Sequence, residues 1–145
     1  MKKFKFELQA KKTKEAVEYD GALETTTKAV EFCRRFYFDD INIFESFFIV
    51  LMKNRNVVGW AKIAQGGVAS TTVDIKIIAK FAIDTLCTSV ILCHNHPSGD
   101  LRPSVLDKQL TKQTKEALAL FNIRVNDHII LTESDYMSFL ENGLI

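Results

Sequence analysis

Two short segments of the 145-residue chain are apolar at successive positions, which few folds can accommodate. Residues 45–52 read Glu-Ser-Phe-Phe-Ile-Val-Leu-Met, and residues 89–94 read Ser-Val-Ile-Leu-Cys-His. Side chains alternate between the two faces of a strand, so a strand of this kind is stable only where other layers cover both faces of its sheet. The two segments therefore predict central strands that lie between layers of helices.

Strand-like and helical patterns alternate around these two segments. The further predicted strands cover residues 3–9, 57–65 and 123–132. The predicted helices cover residues 22–38, 71–86 and 103–121, with a short one over 134–141. The apolar stripe predicted for the helix over 103–121 consists of Leu106, Leu110, Ala117, Leu118 and Phe121. This order predicts one α/β domain with a mixed central sheet and helices on both faces.

Charge and cysteine usage narrow the class of protein. A net charge of +1 argues against a chain whose main work is to coat nucleic acid, because neutralising phosphates takes an excess of Lys and Arg. The lysines near the start allow a nucleic-acid patch, although a solvated tail is the favoured explanation. Three cysteines without Cys-x-x-Cys spacing indicate a reducing compartment. Since no apolar run reaches membrane-spanning length, we expect a cytoplasmic protein without membrane contact.

The second apolar segment ends in two histidines, within the sequence Cys-His-Asn-His-Pro-Ser-Gly-Asp. Residues i and i+2 of a strand point to the same side, so His94 and His96 are expected to share one space. A lone histidine in such a place is usually a core residue, but a pair at this spacing is typical of half a zinc site. His94 and His96 are therefore predicted metal ligands.

Three more residues complete the predicted site. Asp107 falls in the first turn of the helix over 103–121, where it is either a third ligand or, with Ser104, a capping box; the two histidines favour ligation. Glu45 opens an apolar strand, where a carboxylate needs a partner or a purpose, and it is the predicted general base ahead of Glu24 and Glu31. Ser104 could donate a hydrogen bond to an oxyanion.

The pattern Glu, then His-x-His-x7-Ser-x2-Asp, resembles the zinc metalloprotease motif of the JAB/JAMM family, with Glu45, His94, His96, Ser104 and Asp107 at its positions. The wording around the histidines resembles the RadC-like branch, and the likeness runs from about residue 40 to the end. The resemblance implies a cytidine-deaminase-like three-layer α/β/α sandwich and a single domain over residues 1–145. Residues 1–40 form its divergent part, a Lys-rich strand plus a helix without the branch's usual helix-hairpin-helix segment.

The resemblance also implies a function. It implies Zn²⁺ held by His94, His96 and Asp107, Glu45 as general base, and hydrolysis of peptide or isopeptide bonds in a protein or peptide substrate. Two alternatives stay open: a non-catalytic binding module that keeps the fold, and a DNA-repair-associated role, which the near-neutral charge disfavours. An exposed edge strand at residues 3–9 would also permit a homodimer. The Pro-Cys-x-x-Cys pair of zinc nucleobase deaminases is missing from the sequence, which excludes that chemistry.

The sequence allows two interpretations for each of two further polar residues near the predicted site. Asp100 is expected to fix the loop after Pro97 by hydrogen-bonding to the backbone, with metal ligation as the lesser alternative. His128, in the predicted strand over 123–132, is either a partner that hydrogen-bonds to a metal ligand or a plain strand histidine.

Overall fold

The computed structural model describes residues 1–5, 7, 9–37, 40–67 and 72–145. Five strands form one mixed sheet, in the spatial order β2-β1-β3-β4-β5. In chain order the elements are α1 (Thr26–Arg34), β1 (Ser46–Lys53), β2 (Asn56–Gln65), α2 (Ile75–Asp84), β3 (Ser89–Asn95), α3 (Val105–Ala119), β4 (Arg124–Leu131) and β5 (Tyr136–Ser138).

The two segments with apolar residues at successive positions form the centre of this sheet. β1 pairs with β2 on one side and with β3 on the other, and every residue of β3 is buried. Along β1 the side chains of Phe48 and Val50 enter one core, whereas those of Phe47 and Ile49 enter a second core on the opposite face. The prediction of central strands covered on both faces is confirmed.

One layer of helices lies on each face of the sheet. Val30 and Cys33 of α1 pack into the first core, and Ile78 of α2 and Leu118 of α3 pack into the second. The result is the predicted three-layer α/β/α arrangement. Each helix begins later than the sequence pattern indicated, because a polar side chain caps it: Thr25, Asp74 and Ser104 accept hydrogen bonds from backbone N–H groups of the first turn.

Strand direction brings three chain segments to one edge of the sheet. β1 runs antiparallel to β3, so the start of β1 lies beside the end of β3. β4 runs parallel to β3, and the two are connected through α3, whose first turn follows the loop after His96. The carboxyl end of β3, the amino end of β1 and the start of α3 therefore meet at the same place, where sheets of this kind position their sites.

The buried face of α3 differs from the predicted apolar stripe. Leu106 is 71% exposed and Phe121 is 55% exposed, whereas the buried residues of α3 are Thr111, Thr114 and Leu118. A polar side chain can face the sheet where it finds a hydrogen-bond partner, and the side chain of Thr111 is hydrogen-bonded to His128. The predicted stripe is confirmed for Leu118 and for Leu110, which packs against the second core. It was wrong for Leu106 and Phe121, because this helix covers a polar site as well as an apolar core.

The predicted strand over residues 3–9 is not found in its described part. Residues 3–5, 7 and 9 lie outside every strand, and Phe6 and Leu8 lie outside the described residues. The side chain of Phe4 is 78% exposed and therefore packs into neither core. The homodimer that such an edge would permit stays a prediction.

The short helix predicted over residues 134–141 is instead strand β5 followed by turns. Ile129, Ile130 and Leu131 of β4 pair with Ser138, Met137 and Tyr136, respectively. Thr132 closes this hairpin, since its backbone N–H donates to the carbonyl of Asp135 at 3.0 Å. Ser and Asp favour helix starts and tight turns alike, which is why the local pattern misled.

Two further observations concern membrane-spanning helices and the cysteines. No helix in the described ranges combines the length and the apolar composition needed to cross a bilayer. Cys33, Cys87 and Cys93 are all free and buried, which is typical of thiols that pack as small apolar groups.

Candidate metal centre

His94, His96 and Asp107 converge on one point at the carboxyl edge of the sheet. The two histidines come from the end of β3, and Asp107 comes from the first turn of α3. The Nε2 atoms of His94 and His96 lie 2.9 Å apart. Asp107 places Oδ1 at 3.3 Å from His94 Nε2 and Oδ2 at 3.4 Å from His96 Nε2. One donor atom of each residue lies within 4.8 Å of the others, so the group could hold a metal ion.

The chemistry of these donors fits a metal ion. Two imidazole nitrogens and a carboxylate oxygen are ligands that divalent transition metals prefer, and in a tetrahedral site with bonds of about 2 Å neighbouring donors lie roughly 3.3 Å apart. The Nδ1 atom of His96 is hydrogen-bonded to the carbonyl of Asp100. A carbonyl only accepts, so Nδ1 carries the proton and Nε2 keeps its lone pair for a metal ion.

The electrostatics of the group favour a cation. Partial burial works against charge on the Asp107 carboxyl, but hydrogen bonds with His94 and His96 outweigh it and hold its pKa well below the ordinary value. Burial likewise opposes charge on His96, yet the hydrogen bond with Asp107 prevails, and the charges of Asp107 and Glu45 add to it, so the pKa of His96 is raised. The site thus attracts positive charge.

The second ring nitrogen of His94 is engaged by a buried neighbour. Its Nδ1 lies 2.7 Å from Nε2 of His128 on β4, whose own Nδ1 lies 2.6 Å from Oγ1 of Thr111. Phe47 stacks on the His94 ring at 5.7 Å, and Phe139 stacks on the His128 ring at 4.6 Å. Burial holds the pKa of His128 well below its ordinary value, so this ring is neutral. His128 therefore contacts a candidate ligand and is not an isolated strand histidine.

Ser104 and Asp107 do form the capping box that was the alternative explanation. Ser104 Oγ accepts from the Asp107 N–H at 3.0 Å, and Asp107 Oδ2 accepts from the Ser104 N–H at 2.7 Å. The same carboxylate faces both histidines, so capping and facing the histidines do not exclude each other. The cap fixes the carboxylate in the orientation that the three-donor group needs.

Glu45 lies on the same side of the sheet as the two histidines. The register places Phe47 beside His94, and since side chains alternate, Glu45 is level with His96 and on the same face as Phe47. The residue is buried. Its backbone is held from the β2 side, where Gly66 N–H donates to the carbonyl of Glu45 at 2.9 Å.

A cavity of about 240 Å³ connects Glu45 with Asp107. Its other walls are Phe47, Thr72, Val73, Leu106, Gln109, Leu110 and Gln113. A larger cavity, of about 700 Å³, lies at the opposite end of the sheet beside the start of β4, and none of its lining residues is His, Cys, Asp or Glu. The wall of the smaller cavity contains the carboxylates Glu45 and Asp107, so this cavity is the candidate substrate cavity.

The other acidic residues that were candidates for a ligand or a base are paired with a basic side chain or lie away from the site. The carboxylate of Asp100 forms a fork with the guanidinium of Arg102, with the closest contact at 2.7 Å, and this lowers its pKa to about 2. Asp100 therefore shapes the loop, as predicted, and its carbonyl holds His96. Glu24 pairs with Lys28 at 3.7 Å, and Glu31 lies on α1, across the sheet from the site.

Sequence reasoning missed two residues that support the site, Asn95 and Thr111. Asn95 lies between the two histidines and is fully buried, and its amide hydrogen-bonds to Ser46 N–H, Phe44 carbonyl and Ile41 carbonyl. Alternation along β3 points Asn95 away from the histidines, a signal that could have been read from the sequence. Thr111 lies one helical turn after Asp107, but a threonine among charged residues gives no such signal.

Comparison with known proteins identifies the family. A family model described as "RadC-like JAB domain" matches residues 23–144. The chain belongs to the RadC-like JAB domain family. The matched range contains the three-donor group, Glu45 and α1, so α1 is part of the RadC-like JAB domain although the sequence likeness was placed only from about residue 40.

Relatives of this RadC-like JAB domain are bacterial proteins named UPF0758. One from Flavobacterium johnsoniae is 42% identical over 101 residues, which cover 69% of this chain and 44% of the relative. The relative YfjY of Escherichia coli is 37% identical, over 70% of this chain and 64% of its own length. One from Ralstonia nicotianae is 32% identical over 94% of this chain and 61% of the relative. The chain thus spans between two fifths and two thirds of these relatives' lengths.

Proposed function

We propose that the domain is a zinc-dependent hydrolase that cleaves peptide or isopeptide bonds. His94, His96 and Asp107 hold Zn²⁺, and Glu45 is the general base. The observation that carries the proposal is the convergence of three ligand atoms beside a cavity whose wall also contains Glu45. Membership of a JAB-domain family supports hydrolytic chemistry at a metal centre.

Zinc is the ion that we propose for this donor set. Two histidines and one carboxylate leave one tetrahedral position open, an arrangement typical of catalytic zinc and not of structural zinc, which has four protein ligands. When bound, zinc would supply an activated water at neutral pH and would polarise the scissile carbonyl.

The protein's own residues supply the proton transfers and the orientation. The Glu45 carboxylate takes a proton from the attacking water and passes it to the nitrogen of the leaving amine. Ser104 Oγ accepts from the Asp107 N–H, which leaves its own O–H to donate to the carbonyl oxygen as that oxygen gains charge.

The substrate in this proposal is a protein or peptide whose extended segment reaches the cavity. Thr72, Gln109 and Gln113 on the cavity wall can hydrogen-bond to its backbone, while Val73 and Leu110 contact apolar side chains. The non-catalytic binding module is the competing proposal, and metal content separates the two. A DNA-associated role rests on the resemblance to the RadC-like branch and on the lysines near the start of the chain, and the near-neutral charge disfavours it.

The experiment is elemental analysis of purified protein after reconstitution with zinc, for wild type, His96→Ala, Glu45→Gln and the exposed control Glu116→Gln. We expect about one zinc per chain in wild type, Glu45→Gln and Glu116→Gln, and little in His96→Ala, because only the last loses a ligand. Zinc-loaded samples are then mixed with a peptide library and with isopeptide-linked substrates. Cleavage should occur with wild type and Glu116→Gln and be lost in Glu45→Gln.

Absence of zinc from every reconstituted sample would contradict the proposal and favour the binding module. Loss of zinc in Glu45→Gln would instead show that Glu45 is a ligand or holds the fold. Both outcomes can be read without knowledge of the natural substrate.

A further inference from the structure

The hydroxyl of Thr111 joins a buried histidine to the backbone of a proposed ligand. Thr111 lies on α3 and is only 2% exposed. Its Oγ1 is 2.7 Å from the carbonyl oxygen of Asp107, one turn earlier, and 2.6 Å from Nδ1 of His128 on β4. Threonine often bonds to the carbonyl four residues earlier in a helix. The second contact is unusual, because it connects the helix to the strand behind the metal centre.

The Asp107 carbonyl, Thr111, His128 and His94 form one series of hydrogen bonds. The donor of each bond can be deduced by starting from the carbonyl. A carbonyl only accepts, so the single hydroxyl proton of Thr111 goes to Asp107. Oγ1 must then accept from Nδ1–H of His128. Because His128 is fully buried, its ring is neutral, and its Nε2 carries a lone pair. That lone pair accepts from Nδ1–H of His94 at 2.7 Å. The proton of His94 is thereby held on Nδ1, and its Nε2 lone pair faces Asp107.

We propose that Thr111 is a positioning residue that, through His128, fixes the tautomer and ring orientation of His94 for metal binding. The inference rests on the proposed metal site, and it gives a specific cause for the orientation of one of the proposed ligands, His94. Without the hydroxyl, Nδ1 of His128 faces an apolar side chain, and the proton of His128 can move to Nε2. His94 Nδ1 would then have to accept, which puts the proton of His94 on the nitrogen that should hold the metal ion.

The same chain of hydrogen bonds also connects the elements that carry the ligands. It starts at His94 on β3, passes through His128 on β4 and ends at the backbone of Asp107 on α3. Two ligands that are far apart in the sequence are thus held by one polar path. His96 differs, because its Nδ1 is held by a single carbonyl, that of Asp100. Loss of Thr111 should therefore affect His94 and leave the hydrogen bond of His96 in place.

The test uses three substitutions on one face of α3. Thr111→Val keeps the shape and removes the hydroxyl, whereas Thr111→Ser keeps the hydroxyl and removes a methyl group. Thr114→Val is the matched control, since the Thr114 hydroxyl is buried and makes no hydrogen bond within the described part of the chain. Zinc affinity is measured by competition with a chelator, and two-bond proton–nitrogen NMR spectra report which nitrogen of each imidazole carries the proton. The chain has three histidines, so the spectra can be assigned by single substitutions.

We expect Thr111→Val to weaken zinc binding by about 10- to 100-fold, the usual effect of losing a group that holds a ligand. Thr111→Ser and Thr114→Val should bind as wild type does. The spectra should show the His128 proton on Nδ1 in wild type and in Thr111→Ser, and a different or mixed tautomer in Thr111→Val. Wild-type affinity in Thr111→Val, or equal losses in Thr111→Ser and Thr111→Val, would overturn the inference.

The two proposals fail in distinguishable ways. A wild type that binds no zinc would refute the proposed function, and the tautomer of His128 would still decide this inference in the metal-free protein. His128 with its proton on Nε2 in metal-free wild type would overturn it.

Discussion

The side chain of Asn95 hydrogen-bonds to the backbone on both sides of Glu45. Asn95 Oδ1 accepts from the N–H of Ser46 at 2.8 Å, and Nδ2 donates to the carbonyl of Phe44 at 2.8 Å. Asn95 lies between His94 and His96. The residue that separates the two proposed ligands therefore also holds the backbone on either side of the proposed base. One side chain thus connects the backbone around the proposed base to the strand that carries both histidines.

Asn95→Ala is expected to destabilise the protein by about 3 kcal/mol, since it leaves buried backbone groups at the start of β1 without partners. Asn126→Ala, which removes one hydrogen bond to Ser89 Oγ, should cost about 1 kcal/mol. Urea unfolding of both variants measures the difference. Zinc binding should survive in Asn95→Ala, because the three donors are unchanged, while hydrolysis falls. Equal stability of the two variants would show that Asn95 does not hold this segment.

Asp107→Asn and Ser104→Ala separate capping from metal binding, because both disturb the same capping box. Loss of the Ser104 hydroxyl should cost about 1 kcal/mol of stability and leave zinc content unchanged. Asp107→Asn keeps an oxygen that can accept from Ser104 N–H, so it should cost less stability and yet lose most of the zinc. Unfolding curves and elemental analysis of both proteins give the comparison. If Asp107→Asn retained zinc, Asp107 would be a cap only.

Asp127→Asn should change how stability depends on pH. Burial raises the pKa of Asp127, and hydrogen bonds from Ser138, Leu140 and His128 only partly oppose it. A carboxyl whose folded pKa is raised stabilises the fold below its unfolded pKa, and that stability is lost as pH rises through the folded pKa. Wild type should therefore lose stability relative to Asp127→Asn as the pH rises from about 4, the ordinary pKa of an aspartate, through the raised pKa of Asp127 in the folded protein. Urea unfolding across this range measures it, with exposed Asp20→Asn as control, and a difference that does not vary with pH would contradict the expectation.

Gly99→Ala should strain the loop that holds His96. Gly99 has φ of +83°, and an added Cβ would meet no atom within 4 Å, so the cost is one of backbone conformation, about 1 kcal/mol. Gly59→Ala in β2, also without a close neighbour and without positive φ, should be neutral or slightly stabilising. Thermal unfolding compares the two. Zinc affinity should fall only in Gly99→Ala, because the carbonyl of Asp100 holds the His96 ring; equal affinities would show that the loop does not position this ligand.

Much of the central sheet and of the site was predictable from the sequence. A run that is apolar at successive positions has only one stable location, so the places of β1 and β3 followed from residues 46–52 and 89–94. The site followed from spacing, because strand alternation puts His94 and His96 on one side whatever the rest of the chain does. Asp107 and Glu45 followed from their places at the start of a helix and of an apolar strand, and the family resemblance pointed to the same two residues. The structure places Asp107 beside both histidines and Glu45 level with His96.

The rest could not be predicted because it depends on partners distant in the chain. Thr111 is buried since His128, from another strand, hydrogen-bonds to it, and no local pattern contains that fact. Phe4 alternates with lysines as in a strand, yet the described residues 3–5, 7 and 9 lie outside every strand. Tyr136 and Ser138 pair with β4 although their surroundings favour a helix start, because tertiary pairing overrides local preference.

The antiparallel pairing of β1 with β3 has a consequence for biosynthesis. Glu45 leaves the ribosome well before His94, and the two meet only when β3 has been made and has paired with β1. Asp107 comes later still, and His128, behind His94, is synthesised last of the four. An incomplete chain therefore cannot assemble the centre, and a proteolytic activity of the kind proposed here would be absent while the nascent protein is still unfolded and open to self-cleavage.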